Sequence, residues 1–255
     1  MSFVVEGRAA FLAGAVAIFI LSGVPSAWAA TAQGRPSTLW LMRSTPLATA
    51  VHVLDSGRPG PVALIVGGIH GDEAAGMEAA RKLAAGMPQR GKLIVIPVAN
   101  RLAAESDVRT PYYMRDLNRS FPGGTKGNDT ERLAAAIMGV VARYRPAIVI
   151  DLHEAGSDAD PGGSEVENTL ILSEEGRAAE IALTVLETVN PAQEGRPFSF
   201  LAGAPVGSLN REVSRRFRIP VITVETSRRD PLPYRVETQI GMVKQILAAL
   251  EGGGR

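Results

Sequence analysis

Short runs of apolar, β-branched residues alternate with amphipathic stretches along most of this chain, and that alternation limits its fold more than any other feature. The runs are AVHVL (50–54), PVALIVG (61–67), KLIVIPV (92–98), PAIVIDLH (146–153), TLILS (169–173) and PVITVE (220–225). Several are apolar at nearly every position, the pattern of strands covered on both faces. Helical periodicity falls between them, at about 73–86, 129–144, 174–189, 207–217 and 235–250. Asn128 and Glu131 have the spacing of a capping box that opens the second of these helices. Strands alternating with helices build a mostly parallel sheet, so the expected fold is α/β: a single three-layer domain with a mixed, mostly parallel sheet flanked by helices. A length of 255 residues suffices for one such domain with a sizeable core.

The amino terminus reads differently. Arg8 precedes the apolar run AAFLAGAVAIFILSGV (9–24), which is followed by Pro25 and Ala27-Trp28-Ala29. A basic start, a short apolar core and an A-x-A site describe a secretory signal peptide over residues 1–29. The run is shorter than the roughly 20 residues needed to span a bilayer. The expectation is a secreted, periplasmic protein with a linker over 30–46, a folded domain over 47–250 and no stable membrane association once the signal is cut. The chain has no cysteine, which excludes disulfides and thiolate metal sites. A net charge of +1 gives no electrostatic reason to expect nucleic acid as a partner. GGTKGN (123–128) is not a complete phosphate-binding loop and does not follow a strand.

Long polar connections at 99–128, 154–168 and 190–206 are of a length that usually serves a function. In open α/β sheets the site gathers at the carboxyl ends of the strands. His70, Asp151, His153 and Glu225 all occupy predicted strand ends. His70 and Glu73 stand three apart in the bend GGIHGDE, where Gly67, Gly68 and Gly71 permit a tight turn, and both could face one point. A catalytic zinc takes three protein ligands, commonly imidazole and carboxylate, and keeps a fourth position open. H-x-x-E alone is equally compatible with a hydrogen-bonded loop histidine and a helix N-terminal charge. A third ligand would come from His153, with Asp151 on the same strand face, or from His52, which reads as an ordinary strand residue. Asp116, Asn118 and Arg119 in RDLNRSFPG (115–123) form a polar cluster that an Asx-turn alone could explain.

The motifs GGIHGDE, DLNRSFPG, DLH and a strand ending in Glu follow one another over about residues 60–230. In that order and spacing the chain resembles the zinc carboxypeptidase superfamily, and most its succinylglutamate desuccinylase/aspartoacylase branch. The resemblance implies a carboxypeptidase-like (phosphorylase/hydrolase-like) fold and one Zn²⁺ held by His70, Glu73 and His153. It implies that Asp116 orients the first ligand histidine and that Asn118 and Arg119 grip a substrate carboxylate. It further implies that Glu225 is the general base acting on a water activated by the metal. Arg109 is the candidate for the arginine that polarises the scissile carbonyl, with Arg101 and Arg115 as alternatives. The chain departs from the branch in having only about thirty residues after Glu225, where a β-domain is usual, and from the digestive carboxypeptidases in lacking a tyrosine over 195–224. The expected catalytic domain is therefore a minimal one over 47–250. Its substrate would be a small peptide or an N-acyl amino acid. Export favours amide cleavage near a free carboxylate in cell-wall or scavenged peptides. The alternatives are an N-acyl amino acid deacylase and, against the presence of Glu225, a zinc-bearing binding protein without catalysis.

Overall fold

The computed structural model describes residues 34–156, 166–173, 176–192 and 196–252. Along these residues run β1 (Pro36–Leu41), β2 (Thr49–Asp55), β3 (Val62–Gly67), α1 (Ala74–Ala84), β4 (Lys92–Ile96), α2 (Arg101–Glu105) and α3 (Asp129–Tyr144). They continue with β5 (Ile148–Ala155), β6 (Thr169–Leu172), α4 (Gly176–Val189), β7 (Ser199–Ala202), α5 (Leu209–Phe217), β8 (Val221–Ser227) and α6 (Leu232–Gly252). The strands form one sheet in the order β1-β2-β4-β3-β5-β8-β6-β7. Pairing is parallel for β4–β3, β3–β5, β5–β8 and β6–β7, and antiparallel for β1–β2, β2–β4 and β8–β6. This is the single α/β domain with a mixed, mostly parallel sheet that the alternating pattern predicts.

Alternation within each central strand sorts residues into two cores. Ala63, Ile65, Ile148, Ile150, Leu152, Ile222 and Val224 pack with α1, α4 and α6 on one face. Leu64, Val66, Val149 and Val221 pack with α3 and α5 on the other. Parity then places Asp151, His153, Thr223 and Glu225 on the α3/α5 face, and Glu154 and Thr226 on the α1/α6 face. The central strands end their apolar runs with polar residues that fall at the carboxyl edge of the sheet.

The α3 helix opens at Asn128 with both hydrogen bonds of the capping box, Glu131 N to Asn128 Oδ1 at 3.0 Å and Asn128 N to Glu131 Oε2 at 2.9 Å. Three elements depart from the sequence reading. Residues 36–41, expected as linker, form the edge strand β1, and residues 199–202, expected as loop, form the opposite edge strand β7. Both are mostly exposed, and an edge strand lacks the continuous apolar run that marks a strand covered on two faces. The third is the five-residue α2 helix inside the expected loop 99–128. The expected signal peptide, residues 1–29, lies outside the described residues, among which no helix is long and apolar enough to cross a membrane.

Candidate metal centre

The bend after β3 turns the chain so that His70 and Glu73 face the carboxyl end of β5. The turn is crowded: a β-carbon on Gly71 would come within 1.9 Å of the Ala103 carbonyl carbon, so only glycine lets the bend lie against α2. Gly71 N donates to Val108 O at 3.1 Å, which ties the next loop to the bend. Arg228, just beyond β8, closes the bend from outside, donating to Asp72 Oδ2 at 3.2 Å and to the Asp72 carbonyl at 2.8 Å.

His70, Glu73 and His153 converge, all buried, with one donor atom from each lying within 4.8 Å of the others. His70 Nδ1 is 2.6 Å from Glu73 Oε1, and His153 Nδ1 is 2.7 Å from Glu73 Oε2. The opposite ring nitrogens also meet carboxylates. His70 Nε2 donates to Asp116 Oδ1 at 3.3 Å and His153 Nε2 to Asp151 Oδ2 at 3.1 Å. Each imidazole is thus held between two carboxylates. Glu73 Oε2 is buried without a hydrogen bond of acceptable geometry, although His153 stands beside it. A buried carboxylate with one oxygen against each of two imidazole nitrogens, the Oε2 of the pair orphaned, is the donor set of one divalent ion, which would replace the two Nδ1 protons. The outer carboxylates fix which nitrogen of each ring is left for it.

Asp116 serves two ends at once. Its Oδ1 also accepts from Asn118 N at 2.7 Å, the Asx-turn that starts a short 3-10 turn over Leu117–Arg119. Arg109 Nη2 donates to Asp116 Oδ2 at 3.2 Å, and its Nη1 lies 3.9 Å from Glu73 Oε1. The rival arginines are elsewhere: Arg101 pairs with Glu105 and donates to Pro46 O, while Arg115 pairs with Glu131. Asn118 Nδ2 is 3.4 Å from His153 Nε2, and its Oδ1 accepts from Leu209 N at 3.0 Å, docking α5 against the turn. Arg119 is exposed and spends one donor on the Asn118 carbonyl. Glu225 sits directly across from His153 in the β5–β8 register. His52 lies on β2, opposite Thr38 and hydrogen-bonded to it, apart from this cluster.

Residues 59–233 match the family described as the succinylglutamate desuccinylase/aspartoacylase catalytic domain. The chain belongs to that family. Relatives of this desuccinylase/aspartoacylase domain include an N-alpha-acetyl-L-2,4-diaminobutyric acid deacetylase from Halomonas elongata. The two are 38% identical over 105 residues, which is 40% of this chain and 30% of that protein. The fold is similar to that of the product-bound ectoine utilization protein EutE (DoeB) from Ruegeria pomeroyi, with a TM-score of 0.64 and 21% identity over 86% of this chain and 68% of that one. It is also similar to the tripeptide-bound cell shape determinant Csd4 from Helicobacter pylori, with a TM-score of 0.65 and 18% identity over 84% of this chain and 55% of that one. The chain therefore spans under a third of the curated relative it matches.

Asp151 is the contact that the motifs of this family domain did not assign. The signal was present, because residues two apart on a strand share a face. Among the described residues its Oδ1 is buried without a hydrogen-bond partner, and its Oδ2 accepts from His153. Asp151→Asn is expected to weaken metal binding by about 10–100-fold, read by competition with a chelator, and an unchanged affinity would remove Asp151 from the centre.

The charges couple strongly. Burial opposes the charged forms of His70 and His153, but Glu73 and Asp116 outweigh it at the first and Asp151 and Glu73 at the second, so both pKa values are raised. Burial likewise opposes ionised Glu73 and Asp116, yet His70, His153 and Arg109 hold both carboxyls well below the usual range. Burial dominates at Glu225 and pushes it up to about 8. In the metal-free protein these raised groups keep protons that the unfolded chain releases. The resulting stability is complete below the unfolded values of 4.5 for Glu225 and 6.5 for the imidazoles, and is lost as pH rises through the folded ones. Chelator-treated protein is therefore expected to melt at falling temperature from about pH 5 to 8, with added zinc restoring most at the upper end. Calorimetry of both forms checks this, and a metal-free melting temperature that climbs across that window would contradict it.

Proposed function

We propose that this chain is an exported, zinc-dependent hydrolase that removes the acyl group from a small N-acyl amino acid. The carrying observation is the convergence of His70, Glu73 and His153 with Glu225 across the neighbouring strand. The identity to a deacetylase of an N-acetyl amino acid weighs toward the deacylase reading over the peptidase one. The signal-like segment 1–29 supports export.

Zinc, when bound, supplies a Lewis acid for the scissile carbonyl and lowers the pKa of a water molecule. Glu225 takes a proton from the attacking water and returns it to the departing amine, work suited to a carboxyl whose burial has raised its pKa to about 8. The new carbon–oxygen bond forms first and the carbon–nitrogen bond then breaks as the nitrogen takes the proton Glu225 returns; the acid so formed gives its own proton to the released amine, leaving a carboxylate and an ammonium group. Arg109, anchored by Asp116 at the edge of the centre, offers positive charge to the carbonyl oxygen. Arg119, exposed beside the centre, keeps donors for the substrate carboxylate.

A second reading, cleavage of short peptides, is supported by the tripeptide-bound Csd4 fold and by the export signal. Zinc-loaded protein should be offered N-acetyl and N-succinyl amino acids alongside tripeptides, with release of free amine as the readout. The deacylase reading expects kcat/KM at least about tenfold higher on the N-acyl amino acids. A preference of that size for the tripeptides would replace it with the peptidase reading.

A further inference from the structure

Glu73 occupies the N-cap position of α1, with non-helical φ −103° and ψ 72°, yet its side chain caps nothing. Its carboxylate is turned instead to His70 and His153. A helix start leaves several backbone N–H groups without partners, and the N-cap side chain ordinarily accepts from one of them at the second or third helical residue. Here that acceptor comes from another element. Glu154 Oε2, on β5, accepts from Ala75 N at 2.8 Å. Glu154 follows His153 and points to the opposite sheet face. Its other oxygen accepts from Arg235 Nη1 on α6, and the Glu154 side chain has no exposed surface. The helix and strand lie close enough for this: a β-carbon on Gly76 would come within 2.7 Å of the Leu152 carbonyl oxygen.

We propose that Glu154, clamped by Arg235, is a positioning residue for Glu73: it caps the α1 terminus in Glu73's place and so holds the Glu73 carboxylate toward the two histidines. Adjacent residues of β5 then serve the two faces of one centre, His153 as ligand and Glu154 as the tether of the ligand on α1. The inference rests on the reading of His70, Glu73 and His153 as metal holders. No motif pointed to it, because the cap and its clamp lie 79 and 81 positions from Glu154 in sequence.

Zinc affinity by chelator competition and amide exchange at Ala75 relative to mid-helix Ala79 separate positioning from general loss of stability. Glu154→Ala is expected to weaken zinc binding by about 10–100-fold and to speed Ala75 exchange relative to Ala79 by at least about tenfold. Glu154→Gln keeps an acceptor of the same reach and should recover most of both. Ile181→Ala, which opens a cavity in buried α4 packing away from the centre, should leave affinity within about twofold below its melting temperature. The proposal is overturned if Glu154→Ala binds zinc like the parent, if Ile181→Ala loses as much, or if Gln is no better than Ala. Should the parent itself fail to bind zinc, the metal reading falls, and the Ala75-to-Ala79 exchange ratio in Glu154→Ala still decides the cap.

Discussion

Glu225→Gln is expected to lower kcat by about 10²–10⁴-fold on the preferred substrate while leaving zinc content and KM close to those of the parent. The substitution keeps the volume and hydrogen-bonding reach of the side chain and removes its capacity to carry a proton. Glu225 is not among the three side chains that converge on the ion position, so the metal should stay. The loss is thus confined to the step in which a proton passes from water to the leaving amine. Steady-state kinetics with metal analysis on the same sample checks it. A variant that retains parental kcat would place the base elsewhere and reduce Glu225 to a half-buried acid without a catalytic use. A variant that loses zinc would make it a ligand.

The second large effect is His153→Ala. Loss of one of three ligands should cost more than the about 10–100-fold that loss of an outer partner costs, leaving no zinc after dialysis and no turnover. It should also destabilise the metal-free fold. His153 separates Asp151 from Glu73, both buried, and its removal leaves two carboxylates facing each other without their shared cation. Breaking a buried pair of this kind costs about 3–5 kcal/mol. His153→Gln, which preserves a donor toward Asp151, should keep more of the stability and equally little of the metal. Denaturant melts with zinc analysis separate the two effects. Parental zinc content in either variant would remove His153 from the centre.

How much of this was legible beforehand follows from where each residue sits. The central strands announce themselves because burial on both faces demands continuous branched apolar residues, as in VALIV before the bend and PAIVIDLH. β1 and β7 have no such demand. They lie at the two edges of the sheet, largely exposed, and their sequences PSTLWL and SFLA carry no periodic signal. At the centre, His70, Glu73, His153 and Asp116 were singled out by the resemblance of their motifs to a family; spacing alone left the first two open to a loop hydrogen bond and a helix N-terminal charge, and Asp116 to an Asx-turn. The preference for Arg109 over Arg101 and Arg115 came from the family resemblance alone, since all three lie in one long connection; the folded loop brings the Arg109 guanidinium to Asp116 and Glu73. Strand parity placed Glu154 on the far face, but its role depends on α1 and α6 packing there. The substrate class was the least legible part: a signal-like segment favoured peptides, while the relatives weigh toward N-acyl amino acids.

The most direct test of the account is anomalous diffraction at the zinc edge from crystals of the zinc-loaded protein. A single peak is expected in the space between His70, Glu73 and His153, with all three side chains in contact with it and Glu225 alongside. No peak there, or an ion held by other residues, would contradict the central claim that these three side chains form the metal centre.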